Sequence, residues 1–328
     1  MSRRLLRDYG SLLGLLLIGA VLSLLSDRFL TASNLINVAR QVSINAIVAA
    51  GMTIVIITGG IDLSVGSTIA LAGCTALLVA RPAGDVVGML AGIVVAAGVG
   101  LLNGALIAWG RVPPFITTLA TMTVVRGAAL VLTNGEPIVK TAGPYLWLGQ
   151  AFIGPIPVPI LLMIVTLLAA HWFLSRTRWG TYVYAVGGNA EAARLAGISL
   201  AGIQILVYVL GGILAGLAGL VLAARLSSAQ PNTGVGFELD AIAAVVLGGT
   251  SLMGGEGTIW GTVVGAFIIG VLNNGFNLMN VSPFYQLIAK GGVIVLAVLV
   301  DQAIKAGAGR SGPAAPSEDR GEQPAHSG

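Results

Sequence analysis

Apolar stretches of about 20 residues follow one another along almost the whole chain, and they constrain the fold more than any other feature. Only 9% of the 328 residues are charged, whereas 56% are hydrophobic. Soluble domains carry about 25% charged residues, so this chain has too few charges to build a surface that faces water. A helix that spans a bilayer needs about 20 mainly apolar residues. The sequence therefore predicts an all-α, polytopic transmembrane helix bundle.

Ten such stretches are separated by polar or glycine-containing connections. The first follows Arg3, Arg4 and Arg7 and has no convincing small-x-small cleavage site after it, so we expect an uncleaved helix and not a secretory signal. About ten spans are therefore expected. Their approximate bounds are 11–25, 42–58, 64–80, 86–108, 115–133, 158–174, 203–223, 239–250, 259–277 and 285–300.

Lysine and arginine residues in the connections predict the orientation of the chain, because the cytoplasmic loops of membrane proteins are enriched in both. If the N-terminus lies in the cytoplasm, most of these residues fall in cytoplasmic segments. The cytoplasmic ones are then Arg3, Arg4, Arg7, Arg111, Arg176, Arg178, Arg194, Lys305, Arg310 and Arg320. Only Arg28, Arg81, Lys140 and Arg225 fall on the opposite side. Both termini are therefore expected in the cytoplasm.

The domain organisation follows from the same pattern. Residues 1–303 are expected to form one transmembrane domain, and residues 304–328, rich in Gly, Pro, Ser and charge, are expected to form a disordered cytoplasmic tail. The connection 134–157 contains several prolines with aromatic residues between them, which predicts an ordered extracytoplasmic loop. The single cysteine, Cys74, excludes an intrachain disulfide.

The cytoplasmic loop 176–199 contains signals for a short helix. Asn189 stands where an N-cap residue would, residues 190–196 are strong helix formers with mostly short side chains, and Gly197 follows as a C-terminal glycine would. A helix with small side chains outside the membrane lets a groove of another protein approach closely. A solvated connector is the alternative interpretation.

Residues 59–67, with the sequence GGIDLSVGS, form a polar and flexible break between two apolar stretches. Non-helical backbone at membrane depth is tolerated only where protein buries it or where it lines water. Glycine-interrupted segments at matching places in two halves of a transporter point to its binding site, and residues 46–66 partly repeat in residues 241–255. The alternatives are chance similarity and a short cytoplasmic turn in which Asp62 and Ser64 cap a helix. Spacing alone does not choose between them.

Several of these motifs together resemble one known family. The loop 178–198 is similar to the coupling segment of bacterial ABC importer permeases, which docks onto the cytoplasmic ATPase subunit. Residues 59–67, residues 113–121 (PPFITTLAT) and residues 247–257 resemble the ribose/xylose/galactoside-type sugar permeases of that family. The resemblance covers about residues 10–303, and the motifs occur in the right order.

The resemblance implies the permease subunit of an ATP-driven importer of a sugar, a pentose or a hexose and most plausibly a ribose-like one, in the bacterial inner membrane. It implies three protein partners: an ATP-binding cassette subunit, a periplasmic or extracytoplasmic sugar-binding protein, and a second permease copy that makes a homodimer or a pair with a related permease. Membrane lipid surrounds such a subunit. No enzymatic activity, cofactor, metal or nucleic-acid partner is expected of this chain.

An independent feature agrees with an external ATPase. A Walker A loop requires Gly-Lys followed by Ser or Thr. The chain has only three lysines, Lys140, Lys290 and Lys305, and none of them follows a glycine. Any ATP hydrolysis must therefore come from a separate subunit.

The resemblance also assigns residues, one by one. Those that match the ATPase-coupling loop are Gly180, Ala185, Gly187, Asn189, Ala192, Ala193 and Gly197. The candidates for the translocation path are Gly59, Gly60, Asp62, Ser64, Gly66, Asn103, Phe115, Gly248 and Gly249. The individual roles of the second set stay open.

Two basic residues within spans are further candidates, because ionisable groups in a membrane are functional by default. They are Arg126 and Lys290, for which snorkelling towards an interface is the alternative. An ion-gradient transporter needs acidic groups in mid-membrane. The acidic residues available lie near the ends of predicted spans instead: Asp62, Glu238, Asp240 and Glu256. That transporter, and a permease for another small polar solute such as an amino acid or a nucleoside, remain the alternative functions.

Overall fold

The computed structural model describes residues 3–292 and residue 295, and the chain in this part is mostly helical. The predicted tail 304–328 and the last part of the last predicted span lie outside the described residues. The long helices are α1 (Arg3–Leu25), α2 (Ala32–Ile57), α3 (Val65–Ala83), α4 (Asp85–Ala108), α5 (Pro114–Thr133), α7 (Val158–Arg176), α10 (Leu200–Leu226) and α12 (Ile259–Leu278). The shorter ones are α6 (Trp147–Gln150), α8 (Arg178–Gly188), α9 (Ala190–Leu195), α11 (Phe237–Leu247) and α13 over residues 283–292.

Seven of these helices, α2 to α5, α7, α10 and α12, are long and apolar enough to cross a membrane. They confirm a polytopic helical membrane protein. Two predicted spans are not among the seven. The apolar run of α1 covers residues 10–25, close to the predicted 11–25, and is shorter than the seven. Helix α11 has 11 residues, so it is about 16 Å long, roughly half the thickness of a bilayer core. Helix α2 begins ten residues before the predicted span at position 42, because its polar first turns are helical too.

The expectation of an all-α chain needs one correction, since four two-residue strands connect the helices. These are β1 (Ile138–Val139), β2 (Phe152–Ile153), β3 (Ile156–Pro157) and β4 (Ser228–Ala229). The first three lie in the connection 134–157, which is ordered as predicted. Strands β2 and β3 form a small hairpin, whereas β1 pairs with β4, just after α10. Backbone pairing thus fastens the long connection to the end of α10.

Glycines set the spacing of the central helices. Helix α10 lies against α2, α3 and α4. A Cβ atom added at Gly100 would overlap the carbonyl oxygen of Tyr208, and one at Gly212 would overlap that of Ala96. In lipid, close backbone approach of this kind replaces the hydrophobic force that holds soluble helices together. Helix α2 is buried on all sides over most of its length, so it is the core of the bundle.

Candidate functional site

The short helix predicted in the loop 176–199 is present as α9. The Asn189 side chain accepts a hydrogen bond of 2.9 Å from the Ala192 amide, which caps the helix start, and Gly197 follows the helix with a φ of +82°. The predicted extent was 190–196 and the helix covers Ala190–Leu195. Helix α8 precedes it and is capped in the same way, since the Thr177 hydroxyl accepts from the Gly180 amide at 3.1 Å.

Helix α9 presents a small and partly apolar face to its surroundings. Ala193 is buried against the bundle, whereas Ala192 is exposed and Leu195 is 77% exposed. Glu191 and Arg194 pair with each other at 2.6 Å along the exposed side. Sequence reasoning missed Leu195, although a lone leucine in a charged loop is a readable signal. A short helix that exposes a leucine beside small residues can lay this face in a groove of another protein.

Three glycine-rich segments meet beside this loop. A Cβ atom at Gly187 would overlap the carbonyl oxygen of Ile57 and would lie 2.6 Å from the Gly255 nitrogen. The same Ile57 oxygen accepts a hydrogen bond of 2.9 Å from the Gly255 amide. The hydroxyl of Tyr184 donates to the carbonyl oxygen of Gly257 at 2.7 Å. We call this contact between the end of α2, the end of α8 and the loop after α11 the glycine junction.

Burial raises the pKa of Tyr184 above its ordinary value, because the charged phenolate would be poorly solvated. The phenol therefore stays neutral and keeps its proton for the hydrogen bond to Gly257. The junction between α8, α2 and the loop after α11 is therefore held by neutral groups and close backbone contacts.

The break after α2 lies inside the bundle. The Tyr208 hydroxyl donates to the carbonyl oxygen of Ile61 at 3.3 Å, and Tyr208 lies about 12 Å along α10 from its first residue. Asp62 is 2% exposed and accepts from the amide and the hydroxyl of Ser64 at 2.8 and 2.6 Å. The Asn103 amide donates to the same Ser64 hydroxyl at 2.9 Å. The break is thus non-helical backbone that protein buries.

The other candidates for the translocation path form no side-chain hydrogen bond with this cluster and differ in their surroundings. A Cβ atom at Gly66 would overlap the carbonyl oxygen of Gly234. Gly248 packs on Gly261 of α12, and Gly249 ends α11 with a φ of +84°. Phe115 is 52% exposed at the start of α5. The structure therefore brings Asp62, Ser64 and Asn103 together but places Phe115 and the pair after α11 elsewhere, and the translocation role of the set stays a prediction.

The partial repeat has a local structural counterpart. Helix α2 ends with hydrogen bonds from Gly59 to Ile56 and from Gly60 to Val55, and α11 ends with the same pattern from Gly249 to Val246 and from Thr250 to Val245. Both are Schellman motifs. In the structure Gly59 corresponds to Gly249. The sequence repeat places Gly59 opposite Gly248, so the two registers differ by one residue. Helix α5 also ends in this way, so the motif alone does not demonstrate an internal duplication.

The two basic residues within spans both have partners. Arg126 donates to the carbonyl oxygens of Pro231 and Thr233, and the Lys290 ammonium lies 2.9 Å from a carboxylate oxygen of Asp240. Both contacts involve the chain around the start of α11. Snorkelling alone therefore does not explain the position of either residue, because each one bonds to a specific segment of the chain.

A cavity of about 280 Å³ lies beside this ion pair. Its walls come from α2, the start of α11, the end of α12 and α13. The polar side chains that line it include Gln41, Asn45, Asp240, Asn273, Asn277 and Lys290. Sequence reasoning missed the amides, although a signal was present: Gln41 and Asn45, and likewise Asn273 and Asn277, are four residues apart, which places each pair on one face of its helix.

Comparison with known protein families agrees with this fold of apolar helices around buried polar clusters. Residues 34–298 match the family described as the branched-chain amino acid transport system, permease component. The chain belongs to this family of permease components, and it is a multi-pass membrane protein.

Curated relatives narrow the comparison within the family. The chain is 50% identical over 301 residues to the ribose import permease protein of Escherichia coli K12, covering 90% of this chain and 94% of the relative. It is 46% identical to the ribose import permease protein of Bacillus subtilis, covering 90% and 93%. It is 40% identical to an L-arabinose ABC transporter permease protein of Azospirillum brasilense, covering 91% and 88%. No solved structure matches the chain.

Proposed function

We propose that this chain is the permease subunit of an ATP-driven, binding-protein-dependent importer of a sugar, with a ribose-like pentose as the first substrate to test. The observation that carries the proposal is 50% identity to a ribose import permease over 90% of the chain. The relatives named for ribose and arabinose favour a sugar over an amino acid or a nucleoside. The bacterial inner membrane is the corresponding location.

The permease has about ten crossings and both termini in the cytoplasm in this proposal. The segment between α10 and α12, which contains α11, is one of the less obvious of these crossings, and its contacts support it. Strand β4 begins it beside the connection 134–157, and Gly255 near its end lies beside Ile57 and Gly187. The segment therefore runs from one end of the bundle to the other, with α11 supplying only part of the path. Non-helical backbone is acceptable there because protein surrounds it.

The cytoplasmic partner in the proposal is a separate ATP-binding cassette subunit, and α9 is the element that docks onto it. Ala192 and Leu195 supply the contact face, and Asn189, Ala193 and Gly197 hold the helix in place. The glycine junction carries movement of this helix to α2 and α11. A second permease copy and an extracytoplasmic sugar-binding protein complete the importer, and lipid surrounds it.

The partners of the acidic residues that the structure describes favour the ATP-driven importer over an ion-gradient transporter. Asp62 accepts two hydrogen bonds from Ser64, and Asp240 pairs with Lys290. An ion-coupling carboxylate must exchange its partner for the ion, and both of these have neutral or cationic protein partners already. We retain Asp62, Ser64 and Asn103 as proposed contributors to the translocation path, through the position of the break between α2 and α3.

Purification of the full chain in mild detergent, with the associated proteins identified by mass spectrometry, tests the assembly. A stoichiometric partner with Walker motifs is expected. The complex is then reconstituted in liposomes with its sugar-binding protein, and uptake of labelled ribose is measured with and without ATP. Uptake that requires ATP supports the proposal. Purification without any ATPase after gentle crosslinking, or uptake driven by an ion gradient alone, would overturn it.

A further inference from the structure

The cavity beside the Asp240–Lys290 pair contains buried amides that the protein leaves unsatisfied. Asn45 is 8% exposed and Asn273 is 9% exposed, and the side-chain oxygen of each has no hydrogen-bond partner among the described residues. Buried polar groups are nearly always hydrogen-bonded in native structures, and each exception needs an explanation. These two exceptions line the same cavity, although they come from α2 and α12.

A neighbouring pair shows that the fold can satisfy an amide at this place. Asn274, the next residue on α12, donates to Asn34 of α2 at 2.8 Å and accepts from it at 3.0 Å. Asn34 also donates to the carbonyl oxygen of Phe29 at 2.9 Å. Asn274 thus joins two helices, whereas Asn273 lines the cavity and its buried side-chain oxygen has no hydrogen-bond partner among the described residues. The contrast argues that Asn273 and Asn45 serve a ligand.

The chemistry of the cavity favours a small, neutral and hydroxyl-rich ligand. Among the described residues that line it, the one cation and the one anion are Lys290 and Asp240, which neutralise each other at 2.9 Å. The remaining polar groups are largely amides, which both donate and accept hydrogen bonds. The volume of 280 Å³ corresponds to about nine water molecules and lies near the lower limit of about 300 Å³ for small-molecule sites. A monosaccharide fits these properties, whereas a free amino acid would need two unpaired charges.

We propose that this cavity is a sugar subsite of the permease, in which the side-chain amides of Asn45 and Asn273 form hydrogen bonds with sugar hydroxyls. The inference rests on the proposed function and adds the place where the sugar is bound within the membrane domain. It differs from the nine residues that the family resemblance assigns to the path, none of which lines the cavity.

The helices that form the cavity also reach the glycine junction. Asn45 lies on α2 about 18 Å from Ile57, whose carbonyl oxygen contacts Gly255 and Gly187. Asp240 lies in the first turn of α11, and the loop after α11 contains Gly255. Movement of α8 and α9 would therefore act on one wall of the cavity through the continuous helix α2, and on a second wall through the loop that follows α11. This connection lets ATP-driven movement at one end change the affinity for sugar at the other.

The test uses the reconstituted importer with Asn45→Leu and Asn273→Leu, which keep the side-chain volume and remove the amide. Uptake of a labelled pentose and a labelled hexose is measured with the same binding protein. Each variant is expected to lower uptake about tenfold, the equivalent of one hydrogen bond to the sugar, and to change the pentose-to-hexose ratio. Ser43→Ala is the control, since Ser43 is buried on the same helix but donates only to Ala39 and Arg40. It should match the wild type.

Two results would overturn the subsite. One is unchanged uptake in both leucine variants. The other is an equal loss for both sugars together with a lower melting temperature, because a merely structural amide would impair all substrates alike. A changed ratio at an unchanged melting temperature supports the subsite.

A second measurement separates failure of the subsite from failure of the proposed function. Asn273→Cys is labelled with a small thiol reagent in the purified chain, in which the native Cys74 is fully buried. Protection by ribose supports the subsite even if the reconstituted protein does not import sugar with ATP. Protection by an amino acid or a nucleoside alone, or by no solute, would overturn the sugar assignment.

Discussion

The guanidinium group of Arg126 donates a hydrogen bond of 2.5 Å to the carbonyl oxygen of Pro231. The same nitrogen donates to the carbonyl oxygen of Thr233 at 2.7 Å. Arg126 lies in the second half of α5, and the two carbonyls belong to the chain between β4 and α11. A charged side chain within a span thus fixes non-helical backbone that leads to the cavity.

Replacement of Arg126 by Leu should destabilise this segment, because two carbonyls lose a charged donor. Hydrogen bonds to charged groups contribute about 1.5–3 kcal/mol each. We expect a lower melting temperature in detergent, and a smaller decrease for Arg126→Lys, which keeps one donor group. Arg28→Gln, at an exposed arginine, serves as the control. An unchanged melting temperature in Arg126→Leu would contradict the role of this contact.

Replacement of Gly187 by Ala should disrupt the glycine junction, since the added methyl overlaps the Ile57 carbonyl oxygen. Overpacking of this kind costs about 1–3 kcal/mol. We expect ATP hydrolysis by the assembled complex to continue while sugar uptake falls severalfold. The matched control is Gly188→Ala, because a Cβ atom at Gly188 meets nothing within 4 Å. Equal uptake in the two variants would show that the junction does not couple the two activities.

Substitutions on α9 should separate docking from folding. Ala192→Trp adds bulk on an exposed position, whereas Ala193→Trp adds it to a buried one. We expect Ala192→Trp to lower co-purification of the ATPase subunit with little change in melting temperature. Leu195→Ser should also weaken co-purification by removing the exposed apolar side chain. For Ala193→Trp we expect a lower melting temperature as well. Normal co-purification and uptake in the first two variants would exclude α9 as the docking element.

Labelling of Thr181→Cys tests the orientation of the chain. Thr181 is exposed on α8, and the native Cys74 is fully buried, so the background should be low. A membrane-impermeant thiol reagent should label the variant in inside-out vesicles and not in intact cells. Lys140 lies in the connection expected on the other side, so that Lys140→Cys should give the opposite pattern. Labelling of Thr181→Cys in intact cells would reverse the proposed topology.

Local sequence signals predicted the elements that depend on neighbouring residues. Seven spans and the capped helix after Asn189 were expected and are present. Their physical causes, apolar length and the capping of free amides, are properties of segments of about 6 to 27 residues. The short helix α11 was predicted less well, because its apolar run continues past Leu247 to Gly248 and Gly249, where the backbone leaves the helix.

Sequence by itself thus determined three things. It showed that the chain spans a membrane, at which residues most helices begin and end, and to which family the chain belongs. Only the tertiary structure decided which polar residues meet. Asn45 and Asn273 are more than 200 positions apart in the chain, and Gly187 contacts residues near 57 and 255. Four-residue spacing reveals that two amides share one helix face, but the direction of that face depends on how every neighbouring helix packs. For that physical reason the short helix α9 was predictable from sequence, whereas the cavity was not.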